Sequence, residues 1–158
     1  PLEREGWHVF HDVPARENGK DFNLDHIAIG PTGVALIETK SRSKGKTIAG
    51  RKDHVVTFDG KKLQCPWGHS TSELEQLKRQ REWLENWIHE RTGIQVPVSP
   101  ILATPGWWTE TTAAGARTKV TNHKNLCKAI KGYGQQTLDP KTIDLFSRQL
   151  DSLCRIKA

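Results

Sequence analysis

Two acids and a lysine stand out in the stretch from Asn23 to Arg42, NLDHIAIGPTGVALIETKSR: Asp25, Glu38 and Lys40. Glu38 and Lys40 are two positions apart, the spacing that puts both side chains on one face of a β-strand. Asp25 lies on the other side of Gly30, Pro31, Thr32 and Gly33, a tight-turn sequence flanked by the apolar runs His26 to Ile29 and Val34 to Ile37. A pairing of Gly30 with Gly33 carries Asp25 directly opposite Glu38, with Ile27, Ile29, Val34 and Leu36 extending the same face as an apolar surface. Like charges placed opposite each other are ordinarily avoided in a sheet, and a bound cation is the simplest reason to keep them.

That donor set suits phosphodiester hydrolysis. The reaction needs a hydroxide in line with the leaving oxygen and neutralisation of charge building on the phosphoryl group, both of which Mg²⁺ or Mn²⁺ held by one or two carboxylates supplies. Asp25 and Glu38 are the candidate carboxylates, and the backbone carbonyl of Thr39 is a natural third oxygen ligand. Lys40 would orient the attacking water or stabilise developing negative charge. The plain alternative is a solvated strand edge whose ion pair is worth about 0–1 kcal/mol.

The 158 residues are enough for one domain with a real core, and a net charge of +6 is compatible with an anionic partner. No apolar run reaches membrane-spanning length and no signal-peptide pattern opens the chain, so a cytoplasmic protein without membrane contact is expected. Three cysteines, Cys65, Cys127 and Cys154, argue for reduced thiols rather than a disulfide framework. The chain contains no methionine, which fits a domain taken from a longer protein with other domains. The basic residues after the acids, Arg42, Lys44, Lys46, Arg51 and Lys52, are candidates for tracking a nucleic-acid backbone.

The elements that would hold these residues follow from pattern and punctuation. Trp7 to Val13 reads as a strand with Trp7, Val9 and His11 on one face and Phe10 on the other, and Pro14 to Asp21 as a polar loop. His54 to Phe58 and Lys61 to Cys65 flank Asp59-Gly60, a hairpin signal. Pro66 to His69 reads as a break before a helix from Ser70 or Ser72, with Ser72 and Glu75 as a capping box, that runs to about Arg91 and stops at Gly93. Leu74, Leu77, Leu84 and Ile88 mark its buried stripe, with Gln76, Gln80, Trp83 and Trp87 alongside. Val96 to Thr104 reads as a buried strand that Pro97 and Pro100 place at an edge or interrupt. Pro105 to Arg117 reads as a loop whose paired Trp107 and Trp108 cannot easily both be buried. Thr118 to Thr121 reads as a strand, Asn125 to Lys131 as a short helix, and Pro140 to Arg155 as an amphipathic one. The sum is an α/β domain with a mixed sheet.

Asp25 followed by Glu38-Thr39-Lys40 resembles the D…(D/E)xK signature of the restriction-endonuclease-like PD-(D/E)XK nuclease superfamily. With DHIAIGPTGVALIETK, the basic glycine-containing loop after it, Pro66 and Gln76, the chain more narrowly resembles the nuclease-related domain, NERD. The resemblance implies a mixed central sheet flanked by helices, Asp25 and Glu38 as metal ligands, Lys40 as the catalytic lysine and Gln76 as a helix glutamine bordering the site. It implies a Mg²⁺-dependent nuclease acting on DNA, with RNA possible. The rivals are a module that binds nucleic acid without turnover and a protein-docking domain that uses the tryptophan pair.

Overall fold

The computed structural model of the chain describes residues 2–40, 55–65, 68–111, 117–133 and 137–156. After a short 3-10 turn, Glu3–Glu5, two long strands β1 (His8–Glu17) and β2 (Lys20–Gly30) form an antiparallel hairpin in register from His8 opposite Ile29 to Glu17 opposite Lys20. The polar segment expected to be a loop is therefore strand on both sides of a two-residue turn. Asn18 (φ 50°) and Gly19 (φ 76°) both adopt the left-handed conformation that a tight hairpin turn demands, and Asn-Gly is the pair that accepts it with least strain. Pro14 is tolerated because β1 is an edge strand. Gly19→Ala leaves the space around the turn free and strains only the backbone, so a loss of about 1 kcal/mol is expected by chemical denaturation.

The strand β3 (Gly33–Thr39) pairs antiparallel with β2, and Gly30 opposite Gly33 sets the register as expected. The turn between them is anchored from outside: the Leu138 backbone N–H donates to the Pro31 carbonyl at 3.0 Å. The next described elements are β4 (Val55–Phe58), β5 (Leu63–Cys65) and β6 (Gly68–Ser70). Asp59 closes the β4–β5 turn by accepting from the N–H groups of Lys61 and Lys62, each at 2.9 Å. The expected break at Pro66 to His69 is corrected in its second half, where β6 pairs antiparallel with β5 and Cys65 faces Gly68.

Helix α1 (Ser72–Thr92) ends at Gly93, whose φ of 75° makes the left-handed C-cap. Its N-cap is Thr71, with no side-chain cap, in place of the expected Ser70 or Ser72; the Ser72 hydroxyl is turned to Glu73 instead. The buried stripe comprises Leu77, Leu84 and Ile88 as expected, but also Glu73, Gln80 and Arg81, while Leu74 is half-buried. The chain returns as β7 (Val98–Ala103), parallel to β3 and buried throughout. This corrects the edge placement inferred from its prolines. Pro100 lies one residue before β9 (Lys119–Thr121) joins β7, where the strand has a neighbour on only one side and a missing N–H costs little.

Part of the expected loop after Pro105 is also strand: β8 (Trp108–Thr111) runs parallel to β4, Val55 opposite Trp108. Alternation resolves the tryptophan pair, with Trp107 in the core and Trp108 59% exposed. Helices α2 (Leu126–Tyr133) and α3 (Pro140–Ile156) complete the described elements.

Among the described residues the strands form a mixed five-stranded sheet, order β1-β2-β3-β7-β9, and a four-stranded sheet, order β6-β5-β4-β8. The apolar residues divide as the alternation of β2 and β3 dictates. Ile27, Ile29, Val34 and Leu36 join Leu77 and Leu84 of α1, Phe146 and Leu150 of α3, and Val56, Phe58 and Trp107 of the smaller sheet in one core. Ala28, Ala35 and Ile37 point the other way, onto Trp7 and onto Ala129 and Ile130 of α2. A mixed sheet with three helices around it is the expected α/β architecture and is consistent with a restriction-endonuclease-like fold. No described helix is long and apolar enough to cross a membrane.

Candidate active site

The β2–β3 ladder ends with His26 opposite Ile37, and Asp25 and Glu38 are the next residues on the two strands. Beyond the last ladder pair the strands are held by a side chain, since Asp25 Oδ2 accepts the backbone N–H of Thr39 at 3.0 Å. That bond fixes one edge of the Asp25 carboxylate. On the far side, β7 holds the same segment, the Lys40 N–H donating to the Ala103 carbonyl at 2.9 Å. Glu38 thus sits between two neighbours on a strand clamped from both sides.

Glu38 is 6% exposed, and its Oε2 has no hydrogen-bond partner among the described residues. Burial pushes its carboxyl up to about 7 from 4.5; the neighbouring Asp25 carboxylate pushes in the same direction, Lys40 opposes, and a hydrogen bond with the Asp25 side chain adds to the rise. The three residues picked out by spacing are therefore within electrostatic reach of one another. With both acids ionised, a buried Glu38 with an orphaned oxygen, a half-buried Asp25 and one lysine nearby are short of positive charge.

This donor set fits a hard divalent cation, because carboxylate oxygens and a backbone carbonyl are what Mg²⁺ or Mn²⁺ accepts, with waters filling the remaining positions. Asp25 and Glu38 would hold the ion, together with the Thr39 carbonyl. Among the described residues no group of three or more His, Cys, Asp or Glu side chains converges on one point.

Lys40 lines a cavity of about 30 Å³ with Val56, Leu63, Cys65, Glu73, Thr104 and Trp107. That volume is about right for one water molecule. Glu73, in the first turn of α1, is 4% exposed, and its Oε2 accepts from the hydroxyls of Ser70 and of Ser72, the latter at 3.2 Å. Its place beside Lys40 was not foreseen. The available signal was Ser70-x-x-Glu73, a capping-box spacing two residues earlier than the Ser72–Glu75 pair.

Gln76 lies one turn further along α1, half-buried. It lines a cleft of about 430 Å³ with Phe22, Lys20, Arg79 and Gln80, a cleft to which Asp25, Glu38 and Lys40 do not contribute. Trp83 and Trp87 are structural: Trp83 Nε1 donates to the Arg16 carbonyl at 3.0 Å, its ring meets Phe22 edge-on, and the two indoles stack with centroids 6.2 Å apart. Arg42, Lys44, Lys46, Arg51 and Lys52 lie outside the described residues.

A family model, the nuclease-related domain, matches residues 1–105, from the first turn through β7. The chain belongs to the NERD family. The NERD match encloses all of Asp25, Glu38, Thr39, Lys40 and Gln76, and so the whole candidate site. No curated protein and no solved structure matches the chain. What the family name carries to this chain is a nuclease-related domain; the chemistry has to be argued from the site.

Proposed function

We propose that this NERD domain is a metal-dependent nuclease that hydrolyses DNA phosphodiester bonds at Asp25, Glu38 and Lys40. The observation that carries the reading is the buried Glu38 carboxyl, orphaned at Oε2 and set against Asp25, an arrangement that repels itself when ionised unless a cation takes the place of the shared proton. When bound, Mg²⁺ or Mn²⁺ supplies an activated water and neutralises charge on the phosphoryl oxygens. Asp25 and Glu38 bind and orient from adjacent strands, and the Thr39 N–H prevents the Asp25 carboxylate from rotating away. Lys40 brings a fixed positive charge to the face where negative charge builds on the substrate. Glu73, held by Ser70 and Ser72, bounds the Lys40 cavity from α1. Gln76 borders a separate cleft whose lining balances Lys20 and Arg79 against Glu17 and Asp21, so it is not assigned a phosphate contact, whereas the basic segment Arg42 to Lys52 would add phosphate contacts.

The test is direct. Incubated with plasmid and linear DNA, the protein is expected to cut in the presence of Mg²⁺ or Mn²⁺ and not with EDTA. Lys40→Ala should still bind DNA but cut at least about 100-fold more slowly, the loss typical of removing one preorganised charge-stabilising group. Salt-sensitive binding with no cutting by either protein would sink the nuclease reading in favour of a binding module, and neither binding nor cutting would point to protein docking. Asp25→Asn is the matching probe of the ion: an amide oxygen can still accept the Thr39 N–H, so the fold should persist while Mn²⁺ binding, followed by calorimetry, is lost.

A further inference from the structure

The face of β2 opposite Asp25 carries a second arrangement of ligand atoms. His11 on β1 and His26 on β2 are directly paired across the hairpin, and their Nδ1 atoms approach to 2.7 Å with the rings edge to face, centroids 4.9 Å apart. Both rings lie at the open end of the sheet face that α2 covers further along, His11 exposed and His26 half-buried. Asp12 and Asp25, the chain neighbours of the two histidines, add negative charge on either strand. A hydrogen bond between two imidazoles at a water-exposed site contributes little, because water offers each nitrogen an equivalent partner. With both rings protonated at Nε2 instead, two Nδ1 lone pairs would converge, which is what a shared metal ion needs. Two nitrogens each about 2.05 Å from one ion stand about 2.9–3.4 Å apart for angles between square and tetrahedral, so the observed pair has to open by only a few tenths of an ångström. The exposed His11 ring is free to make that movement.

The geometry points to a two-imidazole binding site for a late first-row divalent metal, the Zn²⁺, Ni²⁺ or Cu²⁺ class, bridging β1 and β2 at His11 and His26. Imidazole nitrogen selects these ions over Mg²⁺, which prefers oxygen and dehydrates reluctantly. The site is therefore chemically distinct from the carboxylate pair on the reverse face, and it stands whether or not that pair hydrolyses DNA. Among the described residues no third His, Cys or carboxylate completes the set, so water fills the remaining positions. The bound ion would clip together the two strands one residue from Asp25.

Zn²⁺ and Cu²⁺ titrations of the untagged chain, with Mg²⁺ in excess, test the proposal by calorimetry and, for Cu²⁺, by electron paramagnetic resonance. One equivalent is expected to bind with two nitrogens in the copper spectrum, and Zn²⁺ should raise the melting temperature. His11→Ala and His26→Ala are each expected to weaken binding at least about 10-fold and to remove the thermal shift, whereas Glu38→Gln, which faces away from the histidines, leaves both intact. His11 is exposed, so its replacement tests the site even if the His26 variant folds poorly. Unchanged affinity in His11→Ala, or loss of binding only in Glu38→Gln, overturns the proposal.

Discussion

Replacing Glu38 by Gln is expected to do two opposite things: remove metal-dependent cleavage and make the metal-free protein more stable above neutral pH. The first follows from charge, since a neutral amide at this position leaves Asp25 as the lone anionic ligand, and a rate loss of at least about 100-fold is expected. The second follows from the raised carboxyl. A folded-state value of about 7 against an ordinary 4.5 means that the folded protein holds this proton more tightly than the unfolded chain does. The stabilisation is therefore fully present below pH 4.5 and is lost as pH rises through about 7. Above that, folding has to maintain an ionised Glu38 against burial and against Asp25. The penalty is on the order of 1–2 kcal/mol, less than the full value of the shift because the folded protein relaxes around a buried charge. A Gln amide carries no charge and can donate to Asp25, so Glu38→Gln should be more stable than wild type by that amount at pH 8 in EDTA and indistinguishable from it at pH 4.5. Thermal or urea melts at the two pH values measure it. Equal stability at pH 8 would mean that the acid pair is not strained. The same linkage makes Mn²⁺ affinity rise with pH through about 7, with proton release on binding, because the ion requires both carboxylates ionised.

The candidate site was legible because one turn and one periodicity determine it. Gly30-Pro31-Thr32-Gly33 sets the register of β2 against β3, and alternation then assigns every residue from Asp25 to Lys40 to a face. The surroundings were legible only in part, because they depend on pairings between distant segments. The strand character of Trp108–Thr111 comes from lying parallel to β4, about fifty residues earlier in the chain, which no local pattern announces. Pro100 reads as an edge signal, yet β7 lies between β3 and β9, and what decides the matter is where β9 begins. The Asn18-Gly19 turn was readable in principle, but the polar residues on either side gave no apolar alternation to support strands. The missed turn also hid the His11–His26 pair, since that contact exists only if β1 and β2 form one continuous hairpin. Glu73 was obscured for a different reason: the sequence offers two overlapping capping-box spacings, whereas the helix starts at Thr71 without a side-chain cap and Glu73 turns toward Val56, Leu63 and Cys65 of the smaller sheet.

Gly30→Val is expected to destabilise the fold by about 3 kcal/mol, the upper end of what overpacking a filled interior costs. Gly30 does not have a left-handed backbone; its constraint is space. A Cβ at this position would overlap the indole ring of Trp7, which lies flat over the end of β2. Trp7 has little freedom to yield, since it is 5% exposed and packs with Leu2, Ala28 and Ala35, and its backbone N–H donates to the Leu2 carbonyl at 3.2 Å. Trp7→Ala alone leaves a cavity and should cost about 3–5 kcal/mol. In the double variant the valine occupies space the indole has vacated, so the two losses should fall short of additive by at least about 1 kcal/mol. Additive losses in urea denaturation would show that the ring and the glycine do not compete for the same space. The consequence for chemistry comes through register. Gly30 opposite Gly33 is the pair from which Asp25 is counted opposite Glu38, and a slip of one residue would turn Asp25 to the histidine face and leave Glu38 without its partner. If the valine variant remains folded, Mn²⁺ affinity therefore separates local strain from altered pairing: unchanged affinity means the hairpin has kept its register, and lost affinity means that the turn holds the two carboxylates together.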